Sequence, residues 1–291
     1  MTTNQPQTTP TTADERPVLV LGATGKTGRR VAARLADRGV AVRPGSRAAS
    51  PAFDWDDRST WADALRGVRA VYVAYVPDLA VPGAAATVGA FASAAADAGV
   101  ERVVLLSGRG EPEAERAEQA VRDAGVPWTI VRCAWFAQNF DESFMLEPVL
   151  AGEVFLPVGD VREPFVDAED IADVAVAALT EDGHAGRLYE LTGPEALTFA
   201  EALESIGAAC GRPVAHVPIP MEAFLAELAG AGVPDDVAGL MGYLFGEVLD
   251  GRNAATTDGV RQALGREPRP FGSYAHAAAA TGVWDTTAVA R

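Results

Sequence analysis

Three glycines in the run Gly22-Ala23-Thr24-Gly25-Lys26-Thr27-Gly28 follow directly on an apolar segment, Pro17 to Leu21. They open an amphipathic one, Lys26 to Arg38, in which Val31 and Leu35 share a face. A glycine triplet by itself marks any tight turn from strand to helix. Placed between a strand and a helix, such a loop leaves backbone N–H groups and the positive end of the helix dipole facing its occupant, which suits a pyrophosphate. The spacing is G-x-x-G-x-x-G rather than G-x-G-x-x-G. Gly22, Thr24, Gly25, Lys26, Thr27 and Gly28 are therefore candidates to hold a dinucleotide.

The second candidate strand decides which dinucleotide. An NAD site places an acidic residue there, about 20 residues past the glycines, to hold the ribose 2′-hydroxyl. No acid stands between Asp37 and Asp54; the strand instead ends in Val42-Arg43-Pro44-Gly45-Ser46-Arg47. Arg43 and Arg47 with the Ser46 hydroxyl match a 2′-phosphate, because a guanidinium gives two charge-assisted hydrogen bonds to a phosphate. NADP(H) is expected over NAD(H); the alternative is that both arginines are solvated loop residues. Phe53-Asp54-Trp55 is expected to end a third strand, with Asp54 and Trp55 beside the adenine, or else to be a core Phe ahead of a helix cap. Tyr75-Val76-Pro77, at the end of a fourth strand, is placed beneath the nicotinamide ribose. There Tyr75 either contacts substrate or fills the crevice.

Positioning these groups takes an alternation of strands and helices, and the chain supplies one. Candidate strands at Val40 to Arg43, near Phe53, at Ala70 to Ala74, Arg102 to Leu106 and Trp128 to Val131 alternate with helices at Ser59 to Leu65, within Val81 to Val100, and at Glu111 to Ala124. Gly39, Gly67, Gly99 and Gly125 each stand between a helix and the next strand, as left-handed C-caps do. The expected fold class is α/β: a Rossmann, doubly wound parallel sheet over residues 16–155, with a returning segment near 164–192 that includes a helix from Glu169 to Leu179 and a strand at Leu188 to Leu191. Asp167 and Asp170 are expected to cap that helix. A smaller α/β substrate-side domain follows over 193–280, between a disordered tail at 1–15 and a flexible one at 281–291.

Bulk properties set the limits. With 48% hydrophobic residues in 291 the chain can bury a large core, and a net charge of −16 opposes a nucleic-acid partner. The isolated Cys133 and Cys210, far from the three histidines, suggest neither a metal site nor a disulfide framework. No secretory signal or membrane span is expected; the Ala-rich stretch carries Asp97, and the expected location is the cytoplasm. Monomer and homodimer both remain open.

The glycine loop, the Arg43 strand end, Phe53-Asp54-Trp55, Gly125 to Arg132, Trp135-Phe136-Ala137-Gln138-Asn139-Phe140, Pro164 to Ala172, Tyr189 to Pro194 and Gly211-Arg212-Pro213 together resemble the NmrA-like, atypical branch of the short-chain dehydrogenase/reductases. The resemblance spans about residues 17 to 275 and is nearest to the NAD(P)H:quinone oxidoreductase type 2 subgroup. It implies a Rossmann domain and a small substrate domain with the cleft between them. The superfamily's usual acid, a Tyr followed four residues later by a Lys, cannot exist here: Lys26 is the only lysine and no tyrosine precedes it. Ser107 occupies the usual position of the catalytic Ser, at the end of a fifth strand, either to position the nicotinamide or a carbonyl, or to cap a turn. Glu118 lies where the missing pair would run and is expected to be a solvated or capping carboxylate.

Phe136, Asn139, Phe140 and Phe144 form an aromatic cluster with one amide, suited to a flat carbonyl substrate or to a hydrophobic domain junction. Quinones and activated enones accept hydride to give a delocalised oxyanion, so proximity to the nicotinamide alone can carry much of the rate. An NADPH-dependent reductase of a quinone or conjugated carbonyl compound is the expected function. The alternatives are a redox-sensing NADP(H)-binding protein without turnover and a secondary-metabolism reductase with a polycyclic substrate.

Overall fold

The computed structural model describes residues 15–286; Glu15 apart, the tail expected at 1–15 lies outside them, as do residues 287–291 of the C-terminal one. The first half alternates β1 (Val18–Leu21), α1 (Lys26–Asp37), β2 (Val42–Gly45), α2 (Trp61–Leu65), β3 (Ala70–Val73), α3 (Ala84–Asp97), β4 (Arg102–Gly108), α4 (Pro112–Asp123) and β5 (Trp128–Cys133). The second half runs α5 (Leu146–Ala151), β6 (Glu153–Leu156), β7 (Arg162–Glu163), α6 (Ala168–Thr180), β8 (Arg187–Leu191), β9 (Leu197–Thr198), α7 (Phe199–Cys210), β10 (Ala215–Pro218), α8 (Met221–Gly230), α9 (Asp235–Tyr243), α10 (Gly259–Leu264) and α11 (Phe271–Ala280).

Six strands form one wholly parallel sheet in the order β2-β1-β3-β4-β5-β8. Central strands such as Val18-Leu19-Val20-Leu21 are buried throughout, because helices cover both faces. Leu19, Leu21, Val71, Val73, Val103 and Leu105 face α2, α3 and α4, and the alternate residues Val18, Val20, Tyr72 and Val104 face α1 and α6. Gly39, Gly67, Gly99 and Gly125 all adopt φ between 69° and 80°, the left-handed conformation expected of them. The chain order reverses between β1 and β3, so the carboxyl ends of β1, β3 and β4 open onto the crevice where such folds bind ligands.

The strand expected near Phe53 does not form. β1 already has β2 on one side and β3 on the other, and Pro44 lacks the N–H an outer neighbour of β2 would need. Phe53 is buried instead in an irregular segment, edge-on to Trp55 and Phe91 and stacked on Trp61. Tyr75 thus follows the third strand of the sheet and Ser107 lies in the fourth.

The remaining elements build a second core around Phe140, Phe165, Phe199, Phe245 and Phe271. β6, which straddles the expected boundary at 155, pairs in parallel with β10, and α5 before it contributes Val149 to the same core; the packing changes at about residue 137. α10 returns to the first layer, where Gly259 lies so close on the Glu190 backbone that a Cβ would meet its oxygen at 2.1 Å. Within the tail expected from 281, Trp284 is buried and its indole N–H donates to the Phe140 carbonyl at 3.2 Å.

Candidate active site

α1 begins in the manner of an anion site. Gly25 precedes it in extended conformation, no side chain caps its first N–H groups, and its first turn contains no acid. Such a helix end exposes unsatisfied N–H donors and positive potential. Gly22, at φ 70°, turns the chain under Ala74, and Gly28 lies against the Gly22 backbone, where a Cβ would come within 2.1 Å of the carbonyl oxygen. This cradle fits a dinucleotide pyrophosphate. Gly22, Gly25, Lys26 and Thr27 line a cleft of about 400 Å³ that runs from the loop across the ends of β3, β4 and β5; Thr24 is exposed at the loop's outer side and Gly28 is buried behind it. Burial lowers the pKa of the Lys26 ammonium, against the pull of Glu142 and Asp141. α1 is held in place by Arg30, which donates to Glu142 and Glu169, and by Arg34, which donates to Asp173.

The groups expected at the adenosine end stand outside this cleft. Arg43 is anchored, its Nη1 donating to the carbonyls of Ala64 and Arg66 at 2.7 and 2.8 Å, where α2 ends. Ser46 is half-buried, and its carbonyl accepts from the N–H groups of Ala49 and Phe53; Arg47 is exposed beside it. Asp54 closes a local turn by accepting from the Asp56 N–H. Trp55 packs edge-on against Tyr75, 4.9 Å between ring centroids, so only through Tyr75 does this aromatic group reach the cleft. Tyr75, Val76 and Pro77 line it directly.

At the catalytic end two expectations are corrected. Glu118 is fully buried, not solvated: Arg132 grips it with two hydrogen bonds of 2.8 and 2.6 Å, and Ser107 Oγ donates to it at 2.7 Å. Ser107 and Arg132 are paired residues of β4 and β5, so the strand register brings both to one carboxylate on α4. Ser107 lines the cleft with its proton committed to Glu118, which leaves its oxygen to accept. Phe140 is the second correction. It is wholly buried among Phe165, Phe199 and Phe271, a core residue, whereas Phe136, Asn139 and the exposed Phe144 do line the cleft. Asp167 caps α6 by accepting from the Glu169 N–H, but Asp170 does not; it is buried in the first turn and takes the Arg269 N–H and the Arg266 guanidinium, both at 2.7 Å.

Other cleft residues went unmarked in the sequence. Asp78, Arg109, Glu111, Trp135 and Glu163 line it, with Leu244, Val248 and Leu249 from the turn after α9. Arg109 is clasped by Glu190 and by the carbonyls of Asn253 and Ala255. Glu163 accepts from the Trp135 N–H at 3.0 Å, yet burial pushes its carboxyl up to about 7. Burial pushes Glu111 further, to about 8, with Asp78 and Glu118 adding their charges. Its position just before Pro112 reads in sequence as an ordinary helix start, and only its solvent exclusion distinguishes it.

A doubly wound sheet with an uncapped glycine loop at its switch point defines a dinucleotide-binding Rossmann protein. A family model described as NAD(P)H-binding matches residues 22–182, and the chain belongs to that family. It is an NAD(P)H-dependent oxidoreductase. A (4-alkanoyl-5-oxo-2,5-dihydrofuran-3-yl)methyl phosphate reductase of Streptomyces griseus is 38% identical over 276 residues, covering 87% of this chain and 95% of its own. An NAD(P)H azoreductase of Xenophilus azovorans is 33% identical over 286 residues, covering 90% and 98%. The fold is shared with an NADPH-dependent quinone oxidoreductase of Escherichia coli complexed with NADPH, at a TM-score of 0.71 and 21% identity over 89% of this chain and 98% of that one. Among the described residues no helix is long and apolar enough to cross a membrane.

Proposed function

We propose that the chain reduces a quinone or similarly conjugated carbonyl compound with NADPH. The observation that carries this is the lining of the cleft beyond the glycine loop. Tyr75, Trp135, Phe136 and Phe144 offer flat apolar surface, and the Asn139 amide offers one polar anchor. Such a lining suits a planar acceptor with a carbonyl at its edge. The Streptomyces relative supports it by analogy, because the compound in its name is a ring carbonyl conjugated to a carbon–carbon double bond. A reduced nicotinamide supplies hydride when bound. The chain's own part is to hold the pyrophosphate on the first turn of α1, to hold the 2′-phosphate with Arg43, Ser46 and Arg47, and to keep the acceptor against the ends of β3 and β4.

The test is a purified-protein assay with NADPH and a panel of quinones and enones. Consumption of reduced nicotinamide above the blank is expected. Tight NADPH binding without consumption for any acceptor would remove the reductase assignment and favour a sensor of the cofactor pool.

A further inference from the structure

The chain has no Tyr–Lys acid, and the Ser107 hydroxyl spends its hydrogen bond on Glu118. A reduction that ends in a hydroxyl still needs a proton, and one buried acid in the cleft is unclaimed. Glu111 leaves the end of β4 four residues after Ser107 and folds back on it: a Cβ on Gly108 would lie 2.1 Å from Glu111 Oε1. The residue is nine-tenths buried, lines the cleft, and its Oε2 has no hydrogen-bond partner. The structure thus places an unpartnered carboxyl at the carboxyl end of a central strand, beside the crevice where the ligand of such a fold sits.

We propose that Glu111 is the proton donor of the reduction, with Asp78 as the positioning residue that keeps the proton on it. This rests on the reductase function proposed above. The acceptor gains a hydrogen and two electrons as hydride from the reduced dinucleotide. The Glu111 O–H bond breaks as an O–H bond forms on the acceptor oxygen, and the carboxylate recovers its proton from solvent through the open cleft. No further reductant is required.

The neighbouring groups favour this protonation. Burial raises the Asp78 carboxyl too, in the loop after β3, but the backbone N–H groups of Ala80 and Leu79, from which it accepts, oppose that rise. No such hydrogen bond acts on Glu111, where burial, then the charges of Asp78 and Glu118, favour the protonated form. Glu118 on α4 adds negative charge but is neutralised by Arg132. Cys133, at the end of β5, is held as a neutral thiol by burial. Tyr243 of α9, with Glu247 and Arg252 beside it, is pushed up and neutral. Arg109 is committed to Glu190 and does not draw the proton off.

The experiment compares wild type, Glu111→Gln and Asp78→Asn by the pH dependence of kcat with a quinone, and by infrared titration of the protonated carboxyl in the protein with NADPH bound. Wild-type kcat should fall as pH rises through about 8. Glu111→Gln should lose about 100-fold in kcat, as removal of a general acid does, and lose that alkaline limb, with NADPH affinity unchanged and the melting temperature unchanged at acidic pH, where Glu111 is protonated. Asp78→Asn should move the limb to lower pH, since removing a neighbouring anion eases ionisation of Glu111. The part of the protonated-carboxyl band that titrates at about 8 should disappear in Glu111→Gln, while the part that Glu163 contributes at about 7 stays. A wild type active on quinones whose Glu111→Gln variant keeps both kcat and limb overturns the donor alone, as does an Asp78→Asn limb that stays in place. A wild type that reduces no acceptor overturns the reductase function and the donor with it.

Discussion

Arg43, proposed to hold the 2′-phosphate, is already engaged in the fold. Its Nη1 is spent on the carbonyls of Ala64 and Arg66, so the guanidinium is pre-oriented at the end of α2 rather than waving in solvent. A pre-oriented fork gives up less rotamer freedom when a phosphate arrives. Arg43→Ala and Arg47→Ala are each expected to weaken NADPH binding by roughly 10-fold or more, the worth of a charged hydrogen bond, with little effect on NADH. Calorimetric titration of both cofactors checks this, and equal losses for both would sink the 2′-phosphate assignment. Residue types told where to look along β2, but not that one donor was already engaged. Glu118 is the harder case: it shares a helix face with the buried Ala114, Ala117 and Val121, and only the pairing of Ser107 with Arg132 across two strands shows what partners it there.

Among the elements, the contact of α1 with the loop beneath it sets the site. Gly28 lets the helix sit directly on Gly22, and a methyl group there would collide with backbone, which cannot yield as a flexible side chain can. Gly28→Ala is expected to lose measurable NADPH binding and about 2 kcal/mol of stability through overpacking, read by titration and by urea unfolding. Undiminished affinity would mean that the loop is not the phosphate cradle. The βα rhythm was legible because each central strand is buried on both faces and each helix ends in a left-handed glycine. The strand expected near Phe53 was not, for an apolar residue flanked by Pro51 and Trp55 looks the same in a strand as in a packed loop.

For the molecule as a whole, buried acids should make stability depend on pH in an uncommon direction. Glu111, Glu163 and Asp141 titrate at about 8, 7 and 6, each raised chiefly by burial. The folded state therefore holds protons that the unfolded chain has released, so their contribution is full at acidic pH and lost as pH rises through those values. Glu142, Glu169 and Asp173 act oppositely: arginine partners lower their pKa values, and their contribution is lost as pH falls through the depressed values. The melting temperature should peak at about pH 5 and fall toward pH 8.5, with the growing charge of an already acidic chain adding to the decline. Calorimetry across that range checks it, and a melting temperature that climbs from pH 5 to 8 would contradict it. Replacing Glu111 and Glu163 by Gln should flatten the slope.

The glycine loop, the run of buried strands and the missing Tyr–Lys pair were settled by sequence alone, because each depends on residue types at short spacing: a cradle without side chains, apolar runs of strand length, a lysine that is not there. The tertiary structure decided which polar groups meet. Strand register brought Ser107 and Arg132 to Glu118, a turn at Arg109-Gly110 folded Glu111 into the cleft that Asp78 also lines, and a second core withdrew Phe140 from it. Whether a carboxyl keeps its proton at neutral pH depends on solvent and charges brought close from distant parts of the chain, and local sequence does not encode those distances.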